Sequence, residues 1–208
     1  IDGEMAGDYS GEAISLSADG SVVAIGSPYN DGNGNWSGHI RIYENVNNNW
    51  TQIGSDIDGE AVGDKSGYSV SLSADGSVVA IGAFDNDGNG ENSGHVRIFR
   101  NVNENWTQIG SDIDGEAPLD YSGSSVSLSS NGSIIAIGAS SNAGNGKYSG
   151  HVRIFRNVNE NWTQIGNDID GEMAGDYSGE AISLSADGSV VAIGASYNTG
   201  NGENSGHV

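Results

Sequence analysis

Carboxylates recur at short, fixed spacings along this sequence. The pattern Asp-x-Asp-Gly-Glu-x-x-x-Asp occurs three times in full, and the chain opens on a shorter form of it. Ca²⁺ takes about six to eight oxygen ligands from a bending loop, so carboxylates grouped around a glycine suit it. The alternative is that they are solvated turn residues, because the spacing departs from that of an EF-hand. The candidate metal ligands, with Ca²⁺ as the expected cofactor, are Asp56, Asp58, Glu60, Asp64, Asp112, Asp114, Glu116, Asp120, Asp168, Asp170, Glu172 and Asp176.

Short Asn/Gly segments form a second group of candidates. Residues 30–34 and 86–90 both read Asn-Asp-Gly-Asn-Gly, but Ala143 and Thr199 replace the Asp in the later copies. We interpret these segments as flexible turns, with ligand contact as the alternative. An exposed Trp in such a loop could stack on a sugar ring. The candidate ligand-binding residues are Asn30, Asp31, Asn33, Trp36, Asn86, Asp87 and Asn89.

Histidine recurs at a fixed interval of 56 residues, at positions 39, 95, 151 and 207. Each His follows Ser-Gly at the start of an apolar stretch, no Cys is available, and no nucleophile has a fixed partner nearby. We therefore interpret these residues as structural histidines that hydrogen-bond to a neighbouring Asp or Ser. The sequence contains no catalytic set, and we expect a protein that is not an enzyme.

The composition excludes several classes of partner. Lys and Arg number 7 against 28 Asp and Glu, for a formal net charge of −21. Such a surface repels nucleic acid and anionic membranes. No cysteine is present, which excludes disulfides and thiolate metal sites. No apolar run approaches the roughly 18 residues of a membrane span. High acidity suits an extracellular or cell-surface setting, where salt and divalent cations screen the charge.

The candidate residues all belong to one tandem repeat. The string Ile-Asp-Gly-Glu begins at Ile1, Ile57, Ile113 and Ile169, which gives a period of 56 residues. A fixed period of this length is typical of solenoids and propellers. The repeats span residues 1–56, 57–112, 113–168 and 169–208. The last stops at Val208, inside its third predicted strand, so we expect further chain or other chains carrying the repeat to complete it.

Each repeat contains four strand signals and no helical periodicity. In the second repeat, an alternating segment is followed by an Asp-Gly turn, an apolar run that predicts a strand buried on both faces, and two further strands. These segments are 69–73, 78–83, 95–100 and 106–110. The sequence predicts an all-β protein whose repeats are four-stranded antiparallel blades of a β-propeller, with tryptophans packed between blades. A β-solenoid is the alternative.

The first two strand segments resemble the FG-GAP repeat of integrin-α-type propellers. The matching residues are 66–72, Ser-Gly-Tyr-Ser-Val-Ser-Leu, and 78–83, with Ile25-Gly26-Ser27-Pro28 the nearest form of the second element. Ser replaces the Phe of the first element in every copy. The resemblance implies blades around a central axis in an extracellular adhesion or ligand-recognition protein. The calcium loops of that family do not carry over, because Ser73–Ser77 takes their place.

Two functions follow from these features. The first is a non-enzymatic structural or adhesive module of a secreted or cell-surface protein. The alternative is a lectin-like propeller that binds carbohydrate in pockets between blades. The expected partners are other copies of the repeat and either glycans or a surface protein.

Overall fold

The computed structural model describes residues 1–208 as strands joined by turns. It contains no helix of the length and hydrophobicity needed to cross a membrane. The strands are β1 (Ala13–Leu16), β2 (Val22–Ser27), β3 (His39–Val46), β4 (Asn49–Gln52), β5 (Ile57–Asp58), β6 (Ser69–Leu72), β7 (Val78–Ala83), β8 (His95–Val102), β9 (Asn105–Gln108), β10 (Ile113–Asp114), β11 (Ser122–Leu128), β12 (Ile134–Ala139), β13 (His151–Val158), β14 (Asn161–Gln164), β15 (Ile169–Asp170), β16 (Ala181–Leu184) and β17 (Val191–Gly194).

Each of the first three repeats forms a separate antiparallel sheet. The strand orders are β1-β2-β3-β4, β6-β7-β8-β9 and β11-β12-β13-β14, and β16 and β17 form a two-stranded fourth sheet. The predicted all-β class and the antiparallel four-stranded sheets are thereby confirmed. A short fifth strand also pairs with the third strand of each full sheet: Ile57 lies opposite Ile40, while Gln52 lies opposite Tyr43. Each sheet thus takes its last strand from the first residues of the next repeat.

The hydrophobic cores lie between consecutive sheets. Successive side chains of a strand point to opposite faces, so β7 contributes to two cores. Val79 and Ile81 pack with Ile40 and other residues of the first sheet. Val78 and Ala80 pack with residues of the third sheet, including Ile137. The prediction that residues 78–83 are buried on both faces is confirmed.

Neighbouring sheets come into close backbone contact at pairs of glycines. Gly82 is the penultimate residue of β7, and a Cβ there would overlap the carbonyl oxygen of Gly123 in the next repeat. Gly123 has a φ of 86°, a left-handed conformation that favours glycine. The Ser69 hydroxyl donates to the same carbonyl at 2.7 Å. The Ile-Gly and Ser-Gly elements of the repeat therefore form a backbone contact between neighbouring sheets.

The tryptophans also join neighbouring sheets. The Trp106 indole Nε1–H donates to the carbonyl of Ile53 at 2.9 Å, and Trp162 makes the same bond to Ile109. Both indoles pack against an inter-sheet core. Trp50 holds the equivalent place in the first sheet, where it makes no such bond and is 38% exposed. The expectation that tryptophans pack between repeats is confirmed for the second and third copies.

Gly82→Ala should lower the free energy of unfolding by about 1–3 kcal/mol, because the new methyl group overlaps backbone that cannot move aside. Gly194→Ala is the matched control: it stands at the same repeat position, and its Cβ would meet only Ala181 at 3.5 Å. Urea unfolding followed by circular dichroism measures both variants. Equal effects would contradict the close-approach argument.

Trp106→Phe should destabilise the protein by about 1–3 kcal/mol more than Trp50→Phe. Both substitutions remove the same atoms, but only the first leaves the Ile53 carbonyl without its donor. Thermal and urea unfolding of the two variants, compared with the unsubstituted chain, give the difference. The argument fails if Trp50→Phe is the more damaging change.

Candidate functional site

The repeats differ most in two loops that lie at the same end of the sheets. One loop precedes the first strand, and the other joins the second strand to the third. Because neighbouring strands are antiparallel, the start of the first strand, the end of the second and the start of the third lie at the same end of the sheet. The side chains at three equivalent positions are Glu12, Tyr68, Ser124 and Glu180; Pro28, Phe84, Ser140 and Ser196; and Trp36, Asn92, Tyr148 and Asn204.

A pocket lined by aromatic rings opens at this end between the second and third sheets. The Tyr68 and Phe84 ring centroids are 4.1 Å apart, and Tyr121 lies 5.8 Å from Phe84. The cavity is about 260 Å³. Burial raises the pKa of the Tyr68 and Tyr121 phenols, which keeps both hydroxyls protonated and able to donate. The remaining lining residues are Ser124, Ser140, Ser141 and Glu180.

Trp36 belongs to a neighbouring aromatic group, outside this pocket. Its ring meets Tyr29 edge-on at 6.0 Å, and Lys65 places its Nζ 6.0 Å from the Trp36 centroid. The same Nζ lies 5.1 Å from the Phe84 ring and forms an ion pair with Asp85 at 2.6 Å. The Lys65 ammonium group therefore lies against these aromatic rings, although the Trp36 side chain remains 50% exposed.

The other predicted ligand-binding residues hold the Asn/Gly loops together. Asn30 and Asn86 are buried, and the side-chain oxygen of each accepts from a glycine N–H two residues later at 2.7 Å. Asp31 accepts from the Trp36 N–H, and Asp87 accepts from the Asn92 N–H. The side-chain amides of Asn33 and Asn89 donate to the carbonyls of Gly59 and Gly115 in the following repeats. Because these polar groups bond within the protein, the loops are ordered turns.

The structure divides each predicted carboxylate quartet between different surroundings. Asp112 lies beside His95, whereas Glu116, four residues later, lies beside His151 of the next repeat. Asp114 is exposed on β10. Asp120 is buried and accepts a hydrogen bond from the Ala117 N–H at 2.9 Å. The equivalent residues of the other repeats behave alike: Asp58 and Asp170 lie exposed on β5 and β15. Asp64 and Asp176 each accept a hydrogen bond from the backbone N–H three residues earlier. Glu172 lies 3.6 Å from His207.

What the fold brings together is a Glu, a His and an Asp from each full repeat. These triads are Glu4, His39 and Asp56; Glu60, His95 and Asp112; and Glu116, His151 and Asp168. In the second triad the His95 Nδ1 lies 3.9 Å from Glu60 Oε2 and 4.0 Å from Asp112 Oδ2. The expected hydrogen bond from the histidine is therefore not made, because both distances are too long. Burial, aided by the Arg97 charge, lowers the pKa of His95, and burial with Arg153 does the same for His151.

Neither the aromatic pocket nor the Glu-His-Asp triads were predicted from the sequence. The aromatic pocket could have been noticed from Tyr68 and Phe84, which stand where other repeats carry Glu, Ser or Pro. The triads join residues 35 and 17 positions apart, from Glu60 to His95 and from His95 to Asp112. No local spacing rule indicates such a group.

Comparisons with known proteins bear on the fold. No family model matches this chain, and no curated protein matches it. Among solved structures, the chain is similar to hydrazine synthase of Kuenenia stuttgartiensis, with a TM-score of 0.56 at 12% sequence identity. The match covers 91% of this chain and 44% of that one, so the chain spans less than half the length of the structure it matches. At this identity the likeness concerns the fold alone.

Proposed function

We propose that this chain is a non-enzymatic adhesive module, built of propeller-type blades, that binds glycans through the aromatic pocket between its second and third sheets. The pocket combines the flat faces of Tyr68, Phe84 and Tyr121 with serine hydroxyls and the Glu180 carboxylate. A sugar ring presents C–H groups on its face and hydroxyls around its rim, which is the complement of this lining. That composition is the observation on which the proposal rests.

The size of the pocket favours a small ligand. Its volume of about 260 Å³ lies just below the range of about 300–1,000 Å³ usual for ligand pockets. A ligand of one sugar ring, at the end or side of a longer glycan, suits this volume. Such a contact is weak alone, and adhesive proteins gain strength by presenting several weak contacts together.

The repeat architecture supports an adhesive role. The cores and the strands hardly differ between copies, whereas the loops at one end differ strongly, and in repeat proteins such a face is often the binding face. Stacked four-stranded antiparallel sheets are the arrangement of propeller blades. The net charge of −21 and the FG-GAP resemblance both favour a secreted or cell-surface location.

Binding to a glycan array tests the proposal, with Phe84→Ser as the variant that removes the central ring of the pocket. The scaffold tolerates this change, because Ser140 and Ser196 stand at the equivalent position. We expect the Kd for the best glycan to rise about tenfold or more.

Trp36→Asn is the matched control, since Asn92 and Asn204 occupy that position in other repeats and this variant leaves the pocket intact. Circular dichroism verifies that both variants fold. Absence of binding to every glycan, or an equal loss in both variants, would contradict the proposal and favour a purely structural module.

A further inference from the structure

The three Glu-His-Asp triads lie outside the aromatic pocket and share no residue with it. In each, the histidine side chain is only 2% exposed. Its Nε2 is buried without a hydrogen-bond partner, and its Nδ1 faces carboxylate oxygens beyond hydrogen-bond distance. A buried imidazole without a hydrogen-bond partner in the protein is costly, and the polar groups nearest to the ring are the two carboxylates on its Nδ1 side.

Both carboxylates of a triad are anchored through the oxygen that faces away from the histidine. The Gln108 amide donates to Asp112 Oδ1 at 2.6 Å, and Arg97 Nη1 lies 3.5 Å from Glu60 Oε1. Arg97 is itself held by a 2.6 Å bond from Nη2 to the Asp58 carbonyl. The other oxygens, Glu60 Oε2 and Asp112 Oδ2, are left directed at His95 Nδ1. Outer partners that orient ligands in this way are a property of metal sites.

The geometry points to a site for a divalent first-row transition metal such as Zn²⁺ at each triad, with the His Nδ1 and one oxygen from each carboxylate as ligands. A tetrahedral Zn²⁺ with bonds of about 2.0–2.2 Å separates its ligands by about 3.3–3.6 Å. The observed separations of 3.9 and 4.0 Å in the second triad need to contract by only a few tenths of an ångström.

The chemistry of the triad selects this class of metal over Ca²⁺. Imidazole nitrogen suits zinc and its neighbours, whereas Ca²⁺ prefers oxygen ligands alone. Two carboxylates beside one guanidinium leave an excess of negative charge, which a divalent cation offsets. The Glu60 and Asp112 side chains are 45% and 31% exposed, so solvent reaches the ligands.

Calorimetric titration of the chain with Zn²⁺, in an excess of Ca²⁺, tests the inference. Three triads are complete, so we expect three bound equivalents per chain. Asp112→Asn preserves the shape of the side chain but removes the ligand charge, and it should reduce the number to two. Asp114→Asn is the matched control, because it neutralises an exposed carboxylate two residues away that belongs to no triad. It should keep all three equivalents.

Glu60→Gln should repeat the loss of one equivalent from the opposite side of the triad, and circular dichroism verifies that each variant folds. Co²⁺ bound in place of Zn²⁺ should give visible absorption that falls by one third in Asp112→Asn and in Glu60→Gln. The inference is overturned if Zn²⁺ does not bind, if Ca²⁺ displaces it, or if Asp114→Asn causes the same loss as Asp112→Asn. None of these results depends on whether glycans bind.

Discussion

The second strand of each repeat has two apolar faces, and the rest of the structure depends on covering both. Val79 and Ile81 of β7 face one core, while Val78 and Ala80 face another. A single sheet cannot bury both sets, so each sheet is stable only between neighbours. The close approach at Gly82 and Gly123 follows from this requirement, because a larger residue there would push the sheets apart.

Stacking also determines where the connecting loops lie. The segment that leaves β5 must cross from one sheet to the next, and it carries Glu60 to His95 at the start of β8. Arg97 fixes this crossing by bonding to the Asp58 carbonyl. The same crossing recurs in the next repeat, where Arg153 bonds to Asp114 and Glu116 reaches His151. Because the sequence repeats, the same Arg-to-carbonyl bond and the same approach of Glu to His recur at both of these junctions between sheets.

The triads and the aromatic pocket differ in how many repeats contain their residues. The triads consist of residues common to the three full copies, so their number follows the number of repeats. The aromatic pocket depends on Tyr68 and Phe84, which only the second repeat carries. Loop residues at the surface can diverge with little cost to stability, because they lie outside the cores. A common scaffold can thus combine the proposed cation sites, one in each full repeat, with a single proposed glycan pocket.

Much of the fold could be predicted from sequence because it rests on local signals. The Asp-Gly turns and the apolar run at residues 78–83 predict the hairpins, and both are found at those places. The grouping of the carboxylates could not be predicted in this way. Asp112 and Glu116 are four residues apart, yet β10 ends between them on the edge of its own sheet and the chain then crosses to the next. Sequence alone identified recurring carboxylates as candidate cation ligands, whereas the stacking of sheets decided which of them meet a histidine, because that distance depends on contacts between repeats.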